Sequence, residues 1–377
     1  MFYQYHLCSI QTIQTYLRCL QPEAAAGKGL SQTLGVAGFP NGEIYRVGDP
    51  APKLFVARLY AEQRIPLSPK KDFTDDDLNQ VKEYNNTEYI SIIGGKFALT
   101  DFFDGNNTSQ DPRTQFYNWS LMASGAWDYP ANTRGYNFGA VIQAYIHDWA
   151  FRYAITSMPK EANEANMEFR LNKAEGMVLE IEKQHLLQKD DTHYSSAHIG
   201  VFYNQARMGN YAQSIHTGLV NAAPPDITDS REYGNVKKGI YGCWETNSGP
   251  FHYLVRGSWN DGKAESWAFT EIDNSYAFAT RIEGSLWKRK NDNIGIAVVS
   301  NGLSNDHRTY LANGGYGFII GDGKLNYSRE NIIEAYYFLN IWRKLSLTPD
   351  YQFILHPGYN KDRGPAHVVA LRLHVEI

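Results

Sequence analysis

The chain has 377 residues, of which 43% are hydrophobic, 20% charged and 14% aromatic, with 26 Tyr, 8 Trp and 32 Gly. So much apolar and aromatic material excludes a disordered chain. The net charge of −4 gives none of the basic excess by which nucleic-acid binders hold phosphate. No apolar run approaches the roughly eighteen residues that a membrane-spanning helix needs, which leaves strands as the one way to cross a bilayer.

The first residues, MFYQYHLCSIQTIQTYLRCLQPEAAAG, lack a basic start, a continuous apolar core and a small-residue cleavage site, and do not read as a secretory signal. Cys8, Cys19 and Cys243 are too few and scattered for a metal site or a disulfide framework, so the reading is three unpaired thiols rather than a Cys8–Cys19 bridge. From there on, period-two alternation dominates. About fourteen segments carry it, near 12–21, 53–66, 89–100, 137–146, 149–158, 175–186, 196–206, 237–247, 251–259, 275–287, 292–300, 331–341, 345–356 and 366–377. In the last of them Val369, Leu371, Leu373 and Val375 share one face, against Arg372, His374 and Glu376 on the other.

Ten residues rising ~3.3 Å each and tilted ~45° cover about 23 Å, the height of an outer-membrane apolar band. Connections at one end, such as His147-Asp148 and Trp342 to Lys344, are short; 101–136, 207–236 and 301–330 are long. That asymmetry describes an all-β, antiparallel, up-and-down barrel in a bacterial outer membrane, with long extracellular loops and short periplasmic turns. The stretch 67–88 breaks the rule. It carries Lys70, Lys71 and Asp75 to Asp77, and reads as a solvated excursion with room for a short helix.

A Lys or Arg facing lipid at mid-depth costs roughly 2–4 kcal/mol. Arg58, Lys96, Arg152, Arg256, Arg281 and Arg372 are therefore expected to point into a wet lumen. The rest of the inward charged set is Glu62, Arg64, Glu180, Glu245, Glu283 and Glu334, with Tyr60, Tyr145, Tyr241 and Tyr336 as inward stacking faces. Any single Arg or Glu could instead brace neighbouring strands. In the long stretch 101–136, Asp104, Arg113, Trp119, Trp127, Asp128 and Tyr129 mix aromatics with hydrogen-bonding groups, as a constriction loop or a packed external lid would. The Gly-rich Gly35 to Gly48 lacks the Lys-Ser/Thr ending of a phosphate loop. His185, His193 and His198 read as solvated, Asp190-Asp191 as a charged turn rather than a Ca²⁺ site, and Lys237-Lys238 and Lys288 to Lys290 as interfacial charges at strand ends. No metal or cofactor is called for.

The later half is more specific. ESWAFTEID (265–273), DNIGIAVVSNGLSNDHRTYL (292–311), GGYGFIIGDGKLNYSRENIIEAYY (314–337) and PDYQFILHPGYNKDRGPAHVVALRLHVEI (349–377) resemble the carbohydrate-selective porin (OprB) family, as do GLSQTLGVAGFPNGEIYRVG (29–48) and DPRTQFYNWSLMASGAWDYPANTRGY (111–136). The likeness runs in register from about residue 14, making 1–13 an atypical N-terminal segment and 14–377 the porin domain. It implies a barrel of about sixteen strands that admits small sugars passively, with small carbohydrates, outer-membrane lipid and lipopolysaccharide as partners, and leaves self-association open. The family starts with a signal peptide and further strands not seen here, so fourteen segments match a barrel without its first hairpin. The chain also ends on Ile377 where such strands commonly end on Phe. Two rival readings are a glycosidase using Glu180 and Glu182, whose alternate positions set carboxyls roughly 7 Å apart, and a plugged structural or adhesive barrel.

Overall fold

The computed structural model describes residues 16–27, 34–41, 51–74, 82–187 and 193–376. Residues 1–13 with Cys8, Gly42 to Gly48, Asp75 to Asp77, Asp190-Asp191 and Ile377 lie outside the described residues. The strands in chain order are β1 (Tyr16–Ala25), β2 (Lys53–Pro66), β3 (Lys71–Thr74), β4 (Glu83–Asn86), β5 (Tyr89–Phe97), β6 (Asn137–Ile146), β7 (Trp149–Pro159), β8 (Met167–Glu168), β9 (Glu175–Gln184), β10 (Ser195–Ala206), β11 (Asn235–Ser248), β12 (Phe251–Asn260), β13 (Asn274–Glu283), β14 (Asn293–Gly302), β15 (Glu330–Trp342), β16 (Leu345–Leu355) and β17 (Ala366–Val375). The helices are α1 (Trp119–Met122), α2 (Tyr211–Asn221) and α3 (Asn305–Ala312).

Each of the fourteen alternating segments coincides with one long strand; the first is described over Tyr16–Ala25, past the expected end at 21, and 12–15 lie outside the described residues. All fourteen join one antiparallel sheet in which each long strand pairs with the next in sequence; β8 pairs with the end of β7, and β3–β4 form a separate short hairpin. The excursion after β2 is thus a two-stranded hairpin, and any helix there would fall on 75–81, outside the described residues. No pairing joins β1 to β17 among the described residues.

The sheet is rolled. Arg58 of β2 donates to Asp101, and Arg372 of β17 donates to the Pro112 carbonyl. Twelve spacings of ~4.8 Å would hold β2 and β17 roughly 58 Å apart in a flat sheet. Residues 101–112 span less than about 40 Å even when extended, and here they are folded into turns.

Period-two sequence becomes two-faced wall. Ile92, Ile142, Phe151, Leu179, Ile199, Val255, Phe278, Ile296, Ile333 and Leu371 are exposed outward, with Trp259 and Tyr276 at the long-loop rim and Trp149 and Trp342 at the short-turn rim. An apolar belt flanked by aromatic girdles is the exterior that a bilayer requires and water penalises. The long connections build the other end. There α2, capped by Asn210, packs on α3, capped by Ser304, through Tyr211 stacked on His307 at 4.3 Å.

Candidate functional site

The connection 98–136 does not stand outside the barrel; it crosses the lumen. Leaving β5, the chain turns at a short 3₁₀ helix where the Asp101 carboxylate accepts from the Ala98 amide. It reaches Asp104, whose φ of 56° is in the left-handed region, and later forms α1, capped by Asn118. A loop buried this way must find partners for its backbone polar groups, and the wall supplies them by a simple rule. Wall carboxylates accept from loop amides: Glu180 from Asp104, Glu245 from Asn107, Glu334 from Tyr117 and Asn118, and Glu330 from Ala37 and Gly38 of the preceding loop. Wall guanidinium and amide groups donate to loop carbonyls: Arg256 to Leu121, Arg372 to Pro112 and Gln115, Asn204 to Asp128 and Asn260 to Ala126.

Asp104 is the central anchor. Its carboxylate meets His198 at 3.0 Å and Arg256 at 3.4 Å and accepts from the amide and hydroxyl of Ser124. Burial alone would raise its pKa, but Arg256 and His198 hold it below the ordinary carboxylate range. Asp128 accepts from three successive amides, Trp267, Ala268 and Phe269, tying this loop to the next. Trp127 stacks on Tyr241 at 4.8 Å and Tyr129 lies 4.3 Å from Phe269. Trp119 is edge-on to Phe39, and Arg113 lends its carbonyl to His374. Two glycines make room for the wall tyrosines: a Cβ at Gly200 or Gly295 would come within 2.1 Å of the ring of Tyr241 or Tyr336.

The sequence-predicted lining residues separate by depth. Arg58, Glu180, Glu245, Arg256 and Glu334 are buried and committed to the loop or its neighbours. Tyr60, Tyr241 and Tyr336 also face inward, but Phe102, Trp127 and Phe116 already pack on their rings. Nearer the short turns Arg64, Arg281 and Glu283 are less enclosed, whereas Glu62 and Arg152 remain buried. Arg64 reaches Glu62 and Asn85, and Arg152 bridges Glu180 and Glu182 under the ring of Tyr145. Glu283 meets His252 at 2.8 Å. Arg281 is half-buried on the inward face, with its Nε unpaired.

Four expectations are corrected. Lys96 does not point into the lumen. It pairs with Leu59 and Phe138 on the outward face, one residue from the end of β5, and its ammonium donates to the Val56 carbonyl. At the rim a lipid-side cation costs far less than at mid-depth. Lys237 is not an interfacial charge; it is fully buried, donates to Ser266 and lies 3.8 Å from Asp128. His198 is not solvated but buried against Asp104, a loop anchor that the sequence reading missed although Ile199 and Val201 beside it mark the outward phase. Glu180 and Glu182 are not free for hydrolysis, since one guanidinium holds both. Cys19 and Cys243 are both buried, Cys243 as a free thiol.

Beyond the crossing loop, the outer loops are locked by acids. Burial pushes the carboxyl of Glu271 up to about 7, against the opposing pull of His307 and the amides of Ile319 and Ile320. Asp273 is buried too, but His307 at 3.0 Å and the Ser304 amide bring it down to about 2.

A model of the carbohydrate-selective porin, OprB family, matches residues 17–377. In structure the chain is similar to Pseudomonas putida OprB at high pH, with a TM-score of 0.69, 13% identity, and 96% of this chain and 82% of that one covered. Weaker likenesses, to Acinetobacter baumannii OccAB2 (TM-score 0.44, 6% identity, covering 97% of this chain and 88% of that one) and Pseudomonas aeruginosa OccK8 (OprE) (0.42, 8%, 96% and 89%), add nothing to the assignment. Among curated proteins nothing matches. The family model spans nearly the whole wall and the loop that crosses it, so the chain belongs to the OprB family of carbohydrate-selective porins: an outer-membrane channel for small sugars, not an enzyme.

Proposed function

We propose that the connection 98–136 is the constriction of this channel, and that a sugar is recognised just inside it by the inward groups that the loop leaves uncovered. The observation that carries the reading is the loop's attachment to eight strands around the wall, from Arg58 on β2 to Arg372 on β17. A segment held on opposite walls must narrow the passage between them.

Below it, Arg281, Glu283, Arg64, Glu182 and Tyr145 offer donors, acceptors and a ring face towards the short-turn end. Sugar hydroxyls can exchange water for these groups without any covalent step, and mixed charge keeps binding weak enough for release. Outer-membrane lipid and lipopolysaccharide surround the apolar belt in this reading. The test is sugar flux into liposomes carrying a Trp127→Ala, Asp128→Ala variant. Releasing the loop's far end is expected to admit larger sugars faster; unchanged rate and selectivity would remove the constriction. A channel that carries no current in planar bilayers would instead make the packed loop a plug.

A further inference from the structure

Lys96, the one predicted lumen cation found outside, has a companion. It lies between Leu59 and Phe138 on the outward face at the long-loop rim, with its ammonium 5.7 Å from the Phe138 ring and 5.9 Å from that of Tyr136. Arg134, three residues before β6, lies with its guanidinium 4.4 Å over Phe55, a ring 6.0 Å from Tyr136. The two cations are close enough to act on each other electrostatically. Neither has a carboxylate within ion-pair distance among the described residues. The acid that acts on Lys96 electrostatically, Glu23, is committed to the Tyr136 hydroxyl at 2.7 Å and to Arg58. Lys96 makes one hydrogen bond, to the Val56 carbonyl, although an ammonium has three donors, and Arg134 Nη1 is buried without a partner. Directly beside the pair the outward face is apolar and exposed: Leu54, Val56, and Phe138 packed edge-on with Phe169.

Two like charges held together with spare donors are repulsive until an anion joins them. A phosphate group, with close to two negative charges and three acceptor oxygens, satisfies both cations at once. The apolar surface at the same rim asks for acyl chains attached to that phosphate. We propose that Lys96 and Arg134 form a binding site for an acylated, phosphate-bearing lipid of the outer leaflet, the phosphate lying between the two cations and its chains along Leu54, Val56, Phe138 and Phe169. The site rests on the outer-membrane placement, with the long loops outside. It uses none of the groups that pin the connection 98–136 to the wall.

The experiment titrates the purified full-length porin in detergent with bisphosphorylated lipid A, with the same lipid after enzymatic dephosphorylation, and with inorganic phosphate, following bound lipid by native mass spectrometry. The Lys96→Gln, Arg134→Gln variant is expected to bind the bisphosphorylated lipid about tenfold or more weakly. The dephosphorylated lipid should bind poorly and equally to both proteins, and Lys96→Arg, Arg134→Lys should retain binding. Lys238→Gln, an exposed lysine on the outward phase of β11, should bind as the natural protein does. β-sheet circular dichroism measured on the same preparations should be unchanged in every variant, which reports a folded barrel separately from the lipid. Equal binding of the phosphorylated lipid by the double variant would overturn the site, as would equal loss in Lys238→Gln. Displacement of the lipid by inorganic phosphate alone would make it a free-anion site and overturn the lipid assignment.

Discussion

Arg256 and Arg281 stand on adjacent strands, β12 and β13, and both point inward. Arg256 is 3% exposed, donates to the Leu121 and Asp104 carbonyls and pairs with the Asp104 carboxylate. Arg281 is half-buried and its guanidinium enters no ion pair among the described residues; the Nε of both arginines is without a partner. The register sets Arg256 opposite Ala277, so Arg281 lies four residues, about 13 Å, nearer the short turns. The same residue type does two jobs according to its height relative to the crossing loop. Beside the loop, an inward charge replaces water for buried backbone groups; below it, the charge remains available to a solute.

The largest effect is expected where the pinned half is cut at its centre. Asp104→Ala strips the acceptor from His198, Arg256 and Ser124 at once, and removing one partner of a buried charge network costs about 3–5 kcal/mol. The strand ladder does not depend on it. Single-channel conductance should therefore rise several-fold and discrimination between mono- and disaccharides should fall, with the β-sheet circular dichroism unchanged. An unaltered channel would break the claim that the loop is held by these charges. The open half is probed by Arg281→Ala. Losing a charged donor that meets the solute should weaken sugar block of the ion current by about tenfold, with open-channel conductance altered less than about twofold. If sugar block persists, recognition does not occur below the loop.

A third, intermediate effect concerns the outer lock. With a folded pKa of about 7 against an ordinary 4.5, Glu271 stays protonated in the folded loops. Its contribution is fully present below about 4.5 and is lost as pH rises through about 7, up to roughly 3 kcal/mol. Asp273 runs the other way: at about 2 against 3.8, its contribution holds above 3.8 and is lost as pH falls through about 2. The lock is tightest near pH 4 to 5. Amide exchange at Ile319 and Ile320, corrected for intrinsic rate, should be slower at pH 5 than at pH 8, and Glu271→Gln should flatten that difference. A natural protein with no such difference would show that Glu271 does not titrate in the lock.

What the sequence shows and what it hides follow the same division. Strand positions and most inward arginines are legible because a residue in the wall has only two faces, and neighbours such as Phe151 and Tyr153 declare which one Arg152 takes. Lys96 is misread because Gly94 and Gly95 before it carry no side chain to declare the phase, and because the mid-depth penalty does not reach the rim. The loop's anchorage is hidden for a different reason. Asp104 and Arg256 are 152 residues apart, and no local spacing encodes a contact made only when the sheet rolls. Nor does alternation reveal that Trp127 and Phe116 will cover Tyr241 and Tyr336.

The smallest effect tests whether enclosure, rather than bond length, gives these charges their weight. Arg152 meets Glu182 at 2.5 Å, and Arg170 meets Glu168 at the same 2.5 Å. The side chain of Arg152 is 9% exposed inside the wall, whereas that of Arg170 is 59% exposed on an outer loop. Water screens the second pair and competes for both of its partners, so geometry alone overstates it. Arg152→Ala leaves Glu180 and Glu182 facing each other without a counter-charge, and the thermal midpoint should drop by several degrees. Arg170→Ala should shift it by less than about one degree, with sugar flux unaltered. Equal shifts in the two variants would mean that the lumen wall is as wet beside the loop as the outer surface, and the distinction between pinned and open halves would have no physical basis.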